Sequence, residues 1–209
     1  MVKTKINTSN EPIRLFRSDF LEFFTHISPV AVLLIWLPIT GFFIFRTLSM
    51  GVGRVYVLPV GMLLGVFLWT LVEYLLHRFL FHFRAKNAWQ KRVSFLFHGI
   101  HHEQPRIKTR LVMPPVVSIP LALVFFGLFW VLFIALLGIP TWFSPVFAGF
   151  ILGYIFYDMT HYATHHFRMK KGYFRMVRQH HMHHHFQTPE QRFGVTSPVW
   201  DIVFRTLPG

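Results

Sequence analysis

Long apolar stretches separated by polar segments dominate the pattern of this 209-residue chain. No Asp, Glu, Lys or Arg occurs in residues 27–45, 55–72 or 111–157. A membrane-crossing helix needs about 20 apolar residues, so the first two stretches suit one crossing each and the third suits two. Gly138 and Pro140 mark the break in the third stretch, because these residue types end helices. The pattern predicts an all-α integral membrane protein with spans at about 27–46, 55–76, 114–137 and 141–160.

The first 26 residues have a different pattern. From Pro12 onward, apolar residues recur at every third or fourth position, as at Ile13, Phe16 and Phe20, and charged residues occupy the other side. This spacing predicts an amphipathic helix, which either lies in the membrane interface or packs on the rest of the protein. We therefore divide the chain into an N-terminal interfacial amphipathic segment, 1–26, and a single membrane domain, 27–209.

Composition and charge agree with a membrane protein and indicate its orientation. Hydrophobic residues make up 53% of the chain, and the mean hydropathy is +0.44. Of the 21 Lys and Arg residues behind the net charge of +13, 19 lie in residues 1–26, 77–110 and 165–209. Even numbers of spans separate these segments, so the positive-inside rule predicts two hairpins with both termini in the cytoplasm. No basic soluble domain remains that could bind nucleic acid.

Histidines are the main candidates for chemistry. Thirteen of the fourteen lie in four groups, within residues 77–82, 98–102, 161–166 and 180–185, each at or just beyond the end of an apolar stretch. Imidazole is the most common transition-metal ligand among side chains, and the chain has no cysteine, so any ligands are nitrogen or oxygen. The four groups together predict a site for more than one metal ion. His26 stands alone and is expected to be an interfacial or hydrogen-bonded residue.

Spacing indicates which imidazoles can share a metal ion. Side chains three and four residues apart lie on one face of a helix. The sets that meet this rule are His98, His101 and His102; His161 and His165; and His181, His184 and His185. His77 and His82 are five residues apart, so both can bind only if the helix ends or contains a π-bulge near residues 78–81.

Two carboxylates stand close to histidines in the sequence. Glu73 precedes His77 by four residues, and Asp158 precedes His161 by three. Metal-bound imidazoles usually donate their other N–H group to a carboxylate or a carbonyl, so we expect hydrogen bonds from these histidines. The alternative is that each carboxylate reaches water or pairs with an arginine.

All-nitrogen ligation is compatible with iron, zinc, copper or nickel. A site between the membrane core and the cytoplasm suits oxidation of a lipid chain by two irons and dioxygen, although spacing alone does not identify iron. Two other classes stay open, a metal transporter and a non-enzymatic zinc-binding membrane protein. Transport is disfavoured because residues 111–157 contain neither a charged residue nor a histidine.

Several stretches together resemble the membrane fatty acid hydroxylase and sterol desaturase superfamily, and most of all the fatty acid 2-hydroxylases. They are residues 73–82, 98–102, 110–115, 157–162, 193–197 and 200–201, within about 60–205 of the chain. The resemblance implies four membrane helices below a cytosolic helical cap that holds a dimetal site. It also implies ten metal ligands, through which catalysis occurs: His77, His82, His98, His101, His102, His161, His165, His181, His184 and His185.

The last histidine group allows a second assignment, because His180, His183 and His184 have the same spacing. The distance from Phe186 to the Phe-Gly-Val-Thr-Ser segment favours the set that ends in His185. His166, His180 and His183 then remain as additional hydrogen-bonding or proton-handling groups. Arg110 is a candidate either for holding a lipid head group or for anchoring the chain at the interface.

The resemblance implies an oxygen-dependent monooxygenase that hydroxylates a lipid acyl chain, at the 2-position, with two iron ions as cofactors and dioxygen as co-substrate. Zinc is an alternative occupant in purified protein, and a desaturase or a sterol or carotenoid hydroxylase is the alternative activity. Many eukaryotic relatives carry a haem domain of the cytochrome b type, but the sequence has no His-Pro-Gly-Gly segment. A separate electron donor, a ferredoxin or a cytochrome b type protein, is therefore expected. We expect a bacterial inner membrane, with the endoplasmic reticulum as the alternative.

Overall fold

The computed structural model describes residues 11–51 and 55–208 and is helical wherever it has regular structure. Residues 1–10 of the predicted N-terminal segment lie outside the described residues. The α-helices are α1 (Asp19–Phe23), α2 (Pro29–Leu48), α3 (Val57–Leu75), α4 (Ala88–Ser94), α5 (Ile100–Glu103), α6 (Pro115–Trp130), α7 (Pro140–His166), α8 (Gly172–Phe186) and α9 (Val199–Val203). Three π-helical turns, Leu76–Phe81, Phe95–Gly99 and Val131–Leu136, and a 3-10 turn, Lys108–Arg110, join or extend them.

Four helical stretches of the described chain are long and apolar enough to cross a membrane. They are Pro29–Leu48, Val57–Phe81, Lys108–Leu136 and Pro140–His166. The prediction of an all-helical protein with four such helices is therefore confirmed. Proline occupies the first turn of α2, α6 and α7, where its missing N–H group costs no hydrogen bond.

Helix α7 lies at the centre of the molecule, since most of its residues are buried against other helices. It packs most closely on α3, and both helices run in the same direction. Gly65 of α3 faces Val146 and Gly149 of α7, and Gly149 in turn faces Met62, so the two backbones touch. Small residues permit this approach, as in many membrane helix pairs. The parallel packing brings the C-terminal ends of α3 and α7, which carry histidines, to the same end of the protein.

The N-terminal segment contains less helix than its periodicity predicts. The predicted helix begins at Pro12, whereas α1 begins only at Asp19, after the capping residue Ser18. The carboxylate of Glu22 accepts hydrogen bonds from the backbone N–H groups of Leu15 and Phe16, at 2.9 and 2.8 Å. These contacts fold the preceding residues back along α1 and so prevent a continuous helix.

The helix that carries His77 and His82 becomes π-helical between these residues, where the sequence predicted a change. Residues Leu76–Phe81 make a π-helical turn, and His82 caps its end. The predicted widening or ending of the helix near residues 78–81 is thus confirmed. The wider turn places two side chains five residues apart on the same side of the helix.

Candidate metal centre

The ten histidines singled out in the sequence converge in two sets of five. The first histidine group contains His77, His82, His98, His102 and His184, and the second histidine group contains His101, His161, His165, His181 and His185. Within each group, one ring nitrogen from every residue lies within 4.8 Å of the others. Eight of the ten rings are buried, and His82 and His165 are partly buried. Four distant parts of the chain thus meet at one end of α3 and α7.

Neighbouring histidines on one helix are divided between the two groups. His101 and His102 are consecutive, so their side chains diverge by about 100° around the axis and enter different groups. On α8, His181 and His185 lie one turn apart and enter the second histidine group, whereas His184 enters the first. The spacing rule placed each of these sets on one face but did not show that the face divides between two centres.

The inner ring nitrogens have the spacing expected around a metal ion. In the first histidine group, the Nε2 atoms of His77 and His98 are 3.0 Å apart. In the second, the Nε2 atom of His101 is 2.8 Å from that of His185 and 3.0 Å from that of His161. A ring nitrogen with one proton or one lone pair cannot satisfy two such contacts with hydrogen bonds alone. Nitrogens bound at about 2.1 Å to one ion would be roughly 3 Å apart, so the donor set fits a metal in each group.

Outer ring nitrogens of the first histidine group donate to backbone carbonyls. Nδ1 of His77 donates to the carbonyl of Phe193 at 2.6 Å, and Nδ1 of His184 donates to that of Gln191 at 2.7 Å. A carbonyl can only accept, so the proton resides on Nδ1 in both rings. Each Nε2 then presents its lone pair to the centre of the group, which is the tautomer that binds metal.

Burial keeps the imidazoles in the neutral form that binds metal. Loss of hydration lowers the pKa of His82 to about 4. It also lowers the pKa values of His98, His102 and His184 well below the usual value, and the neighbouring imidazoles lower them further. A neutral imidazole offers its lone pair without first losing a proton. These rings could therefore bind metal ions at neutral pH without first losing a proton.

The two buried carboxylates expected beside the histidines hold backbone segments instead. Glu73 Oε1 accepts hydrogen bonds from the backbone N–H groups of Val195 and Thr196 and from the Thr196 hydroxyl. Asp158 accepts from the N–H group of Met113 and the hydroxyl of Tyr154. Among the described residues, neither carboxylate hydrogen-bonds to an imidazole. The loops they hold are the ones that reach the histidines, since Phe193 contacts His77 and the backbone of Leu111 lies beside His161.

Of the remaining histidines, none of those described belongs to either group. His180 Nε2 contacts Asp201 at 3.0 Å, whereas Nε2 of His166 is buried without a hydrogen bond and His183 is partly buried. His26 contacts the Thr109 hydroxyl at 2.7 Å and accepts from Arg110 at 3.0 Å. The prediction of a hydrogen-bonded His26 is confirmed.

Arg110 ties the N-terminal segment to the rest of the protein. Its guanidinium group lies 2.5 Å from the carboxylate of Glu22 and also donates to the carbonyl of Ile13. The side chain is 3% exposed. These partners engage the two terminal nitrogens of the guanidinium group, whereas Nε is buried without a hydrogen bond and the side chain also lines the apolar cavity described below.

An apolar cavity of about 370 Å³ lies beside the histidines. Its walls come from the N-terminal segment, through Phe16, Leu21 and Phe24, and from residues 111–117 at the start of α6. His98 of the first histidine group and His101 and His161 of the second reach the cavity. A hydrocarbon chain in this space would lie next to both groups.

Comparison with known proteins identifies the family. Residues 62–206 match the family model for fatty acid hydroxylases. A dihydroceramide fatty acyl 2-hydroxylase of Arabidopsis thaliana is 39% identical over 207 residues, which cover 99% of this chain and 84% of that protein. The fatty acid 2-hydroxylase of Homo sapiens is 37% identical over 216 residues, with 94% of this chain and 57% of that protein covered.

A solved structure agrees with this assignment. It is described as full-length Scs7p with only the hydroxylase domain visible, and it superposes with a TM-score of 0.81 at 36% identity. The superposition covers 91% of this chain and 70% of that one. The chain belongs to the fatty acid hydroxylase family, and the resemblance seen in the sequence is confirmed.

Proposed function

We propose that this member of the family is a membrane-bound monooxygenase that hydroxylates a lipid acyl chain at the 2-position, with two iron ions held by the ten histidines. One observation carries the proposal: two complete five-imidazole groups lie at the wall of one apolar cavity. The relatives are named dihydroceramide fatty acyl 2-hydroxylase and fatty acid 2-hydroxylase, and these names favour an acyl substrate and the 2-position.

Each histidine group would hold one ion, with Nε2 atoms as ligands. When bound, two irons supply the dioxygen-dependent oxidation that an unactivated C–H bond requires, whereas zinc would fill the same ligands without redox activity. The carbonyls of Phe193 and Gln191 orient two rings of the first histidine group. The imidazoles are neutral, so the ions would bring strong positive charge into the centre.

The cavity would position the substrate. Its apolar walls remove water from the acyl chain, and His98, His101 and His161 bring the reacting carbon close to both ions. Phe16, Leu21 and Phe24 close one side of it. The ion pair between Glu22 and Arg110 holds this wall in place.

We place the four spans in two hairpins and regard α4, α5, α8 and α9 as a helical cap on the cytosolic side, where the basic segments lie. A basic surface would attract an acidic electron-donor protein, so we expect electrons to arrive from a separate ferredoxin or cytochrome b type partner. The relatives named above are eukaryotic, which favours the endoplasmic reticulum over the bacterial inner membrane that we expected from the sequence.

The test compares two consecutive histidines of α8. In His184→Ala the first histidine group loses a ligand, whereas His183→Ala alters a ring outside both groups. Lipids from cells that express each variant are analysed by mass spectrometry, and the purified proteins are analysed for bound metal. We expect a 2-hydroxylated acyl product with the unaltered chain and with His183→Ala, and neither product nor full metal content with His184→Ala.

Two results would contradict the proposal. A lipid with a new double bond instead of a hydroxyl group would indicate a desaturase. Iron-loaded protein that consumes no oxygen with a reductant and lipid would exclude the oxidative function and leave a metal-binding protein.

A further inference from the structure

Asp201, at the start of the short helix α9, is a completely buried carboxylate with four hydrogen-bond partners. Its Oδ1 atom accepts from the backbone N–H group of Phe193 at 2.8 Å and from the hydroxyl of Thr206 at 2.6 Å. Its Oδ2 atom accepts from the N–H group of Gly194 at 2.8 Å and lies 3.0 Å from Nε2 of His180. Two of the four partners, Phe193 and Gly194, belong to the segment that joins α8 to α9, residues 187–198, here called the C-terminal loop, whereas His180 lies on α8 and Thr206 follows α9.

The carboxylate of Asp201 is ionised at neutral pH. Burial alone would raise its pKa, but the hydrogen bonds from His180, Thr206, Gly194 and Phe193 outweigh this effect and hold the pKa below its usual value. Charge strengthens each of these hydrogen bonds. Asp201 is therefore a strong and permanent acceptor for the C-terminal loop.

The C-terminal loop has a backbone conformation that depends on these contacts. Arg192 has a φ angle of 60°, in the left-handed region that costs energy for a residue other than glycine. At Gly194, an added Cβ atom would lie 2.0 Å from the carbonyl oxygen of Ser197 and 2.9 Å from Asp201 Oδ2. A loop that is strained at one residue and closely folded at another needs fixed partners to keep a single shape.

This loop carries the acceptors that orient two metal-binding rings. The carbonyl of Phe193 accepts from His77, and the carbonyl of Gln191 accepts from His184. Both rings belong to the first histidine group. The amide of Phe193 binds Asp201 while its carbonyl binds His77, so a single residue links the carboxylate to the metal-binding ring.

Within the described part of the chain, the second histidine group has no comparable link to the C-terminal loop. Its members on α7, His161 and His165, lie one turn apart on a regular helix, and His161 has the backbone of Leu111 as its neighbour. Nδ1 of His101, His181 and His185 makes no hydrogen bond to the loop among the described residues. Through the loop, Asp201 thus reaches only the first histidine group, whereas its contact with His180 lies on α8, which carries histidines of both groups.

We infer that Asp201 is a positioning residue for the metal ion of the first histidine group alone, acting through the C-terminal loop on His77 and His184. The inference rests on the proposed function only in that each group holds one ion. Replacing the carboxylate by an amide leaves at least one buried loop N–H group without its charged acceptor. Loss of an outer hydrogen-bond partner typically lowers metal affinity by about 10–100-fold, so one ion should become weakly held while the other is unaffected.

The experiment measures metal ions per chain after loading with iron and treatment with a graded chelator. The unaltered protein should retain two ions, and Asp201→Asn should lose one of them at a chelator concentration about 10–100-fold lower. His184→Ala and His181→Ala serve as references for loss from the first and the second histidine group. A matched carboxylate control is Asp19→Asn, whose side chain is 92% exposed and which should retain both ions.

Double variants distinguish a local effect from general damage. Asp201→Asn combined with His184→Ala should lose no more metal than His184→Ala alone, because both changes act on the same ion. Asp201→Asn combined with His181→Ala should lose both ions. If Asp201→Asn does not accumulate as folded protein, Thr206→Val replaces it. This change keeps the carboxylate and removes the hydroxyl that binds Asp201 and also contacts Tyr74. It should weaken the same ion to a smaller extent.

Three outcomes would overturn the inference. In the first, Asp201→Asn retains both ions and resists the chelator as well as the unaltered protein does. In the second, adding Asp201→Asn to His184→Ala removes the second ion as well. In the third, the unaltered protein does not contain two ions. The last would also refute the dimetal proposal. An unaltered protein with two ions and no hydroxylase activity would refute the proposed reaction only. The metal counts would still test the role of Asp201, because they do not depend on activity.

Discussion

Replacing Gly65 by alanine should separate α3 and α7, the two helices whose C-terminal ends lead to the histidine groups. A Cβ atom there would lie 2.1 Å from the carbonyl oxygen of Val146 and 2.6 Å from the backbone nitrogen of Phe150, whereas ordinary contact begins near 3.4 Å. Both obstructing atoms belong to the backbone of α7 and cannot rotate away, so α3 must move by about 1 Å. Overpacking of this kind costs about 1–3 kcal/mol, and an immobile neighbour favours the upper part of that range.

For a chain of this length, a loss of about 3 kcal/mol lowers the melting temperature by roughly 6–12 °C. The matched control is Gly41→Ala in α2, where a Cβ atom would have no neighbour within 4 Å. Because alanine is favoured over glycine in a helix by about 1 kcal/mol, this control should be neutral or more stable. Gly149→Ala, on the opposite side of the same contact, should reproduce the loss, since its Cβ atom would lie 2.1 Å from the carbonyl oxygen of Met62.

The assay is thermal unfolding of the purified protein in one detergent, together with metal content and product formation. Displacement by about 1 Å should also reduce activity, on the order of 100-fold, because the helix ends carry His77 on one side and His161 on the other. Gly65→Ala that melts within about 2 °C of Gly41→Ala and retains full activity would show that α3 and α7 do not touch as described.

Two further predictions concern the cavity and proton competition. Phe16→Ala should enlarge the cavity and shift the products towards longer or bulkier acyl chains. The control, Phe23→Ala, alters an exposed ring outside the cavity and should leave the products unchanged. Identical product distributions for the two variants by mass spectrometry would exclude Phe16 as a wall of the cavity. Metal-free protein should lose stability as the pH falls from about 6.5 towards 4, because burial lowers the pKa of His82 to about 4 and the unfolded chain binds that proton first; constant melting temperatures from pH 7 to 5 would contradict this.

The membrane helices could be predicted from the sequence because hydrocarbon imposes a strict requirement. A helix must satisfy its own backbone groups and expose apolar side chains, so the stretches without charge at 27–45, 55–72 and 111–157 could form little else. The N-terminal segment is under no such requirement. Its apolar spacing predicted a helix from Pro12. The N–H groups of Leu15 and Phe16 instead donate to the carboxylate of Glu22, and the helix begins only at Asp19.

The histidines could be found in the sequence, but their division into two groups could not. The division depends on the angle between consecutive residues, as at His101 and His102 and at His184 and His185, and on the way in which the helices meet. The hydrogen-bond partners of Nδ1 of His77 and His184 are even harder to predict from the sequence. His77 and Phe193 are 116 residues apart, and a backbone carbonyl leaves no mark in the residue type. The scarcity of acids, eight in all, was the available sign that Asp201 has a structural task.

The two halves of the centre are held by different means, and this follows from where their ligands lie. Two rings of the second histidine group are fixed by α7, whose position is determined by close backbone packing against α3. The first histidine group takes His82 from the end of a π-helical turn and depends on the C-terminal loop for the orientation of His77 and His184. Packed helices resist local opening more than a loop does, because a loop is held by fewer buried contacts. Two buried carboxylates add fixed contacts to this loop, since Asp201 accepts from the backbone of Phe193 and Glu73 accepts from that of Thr196.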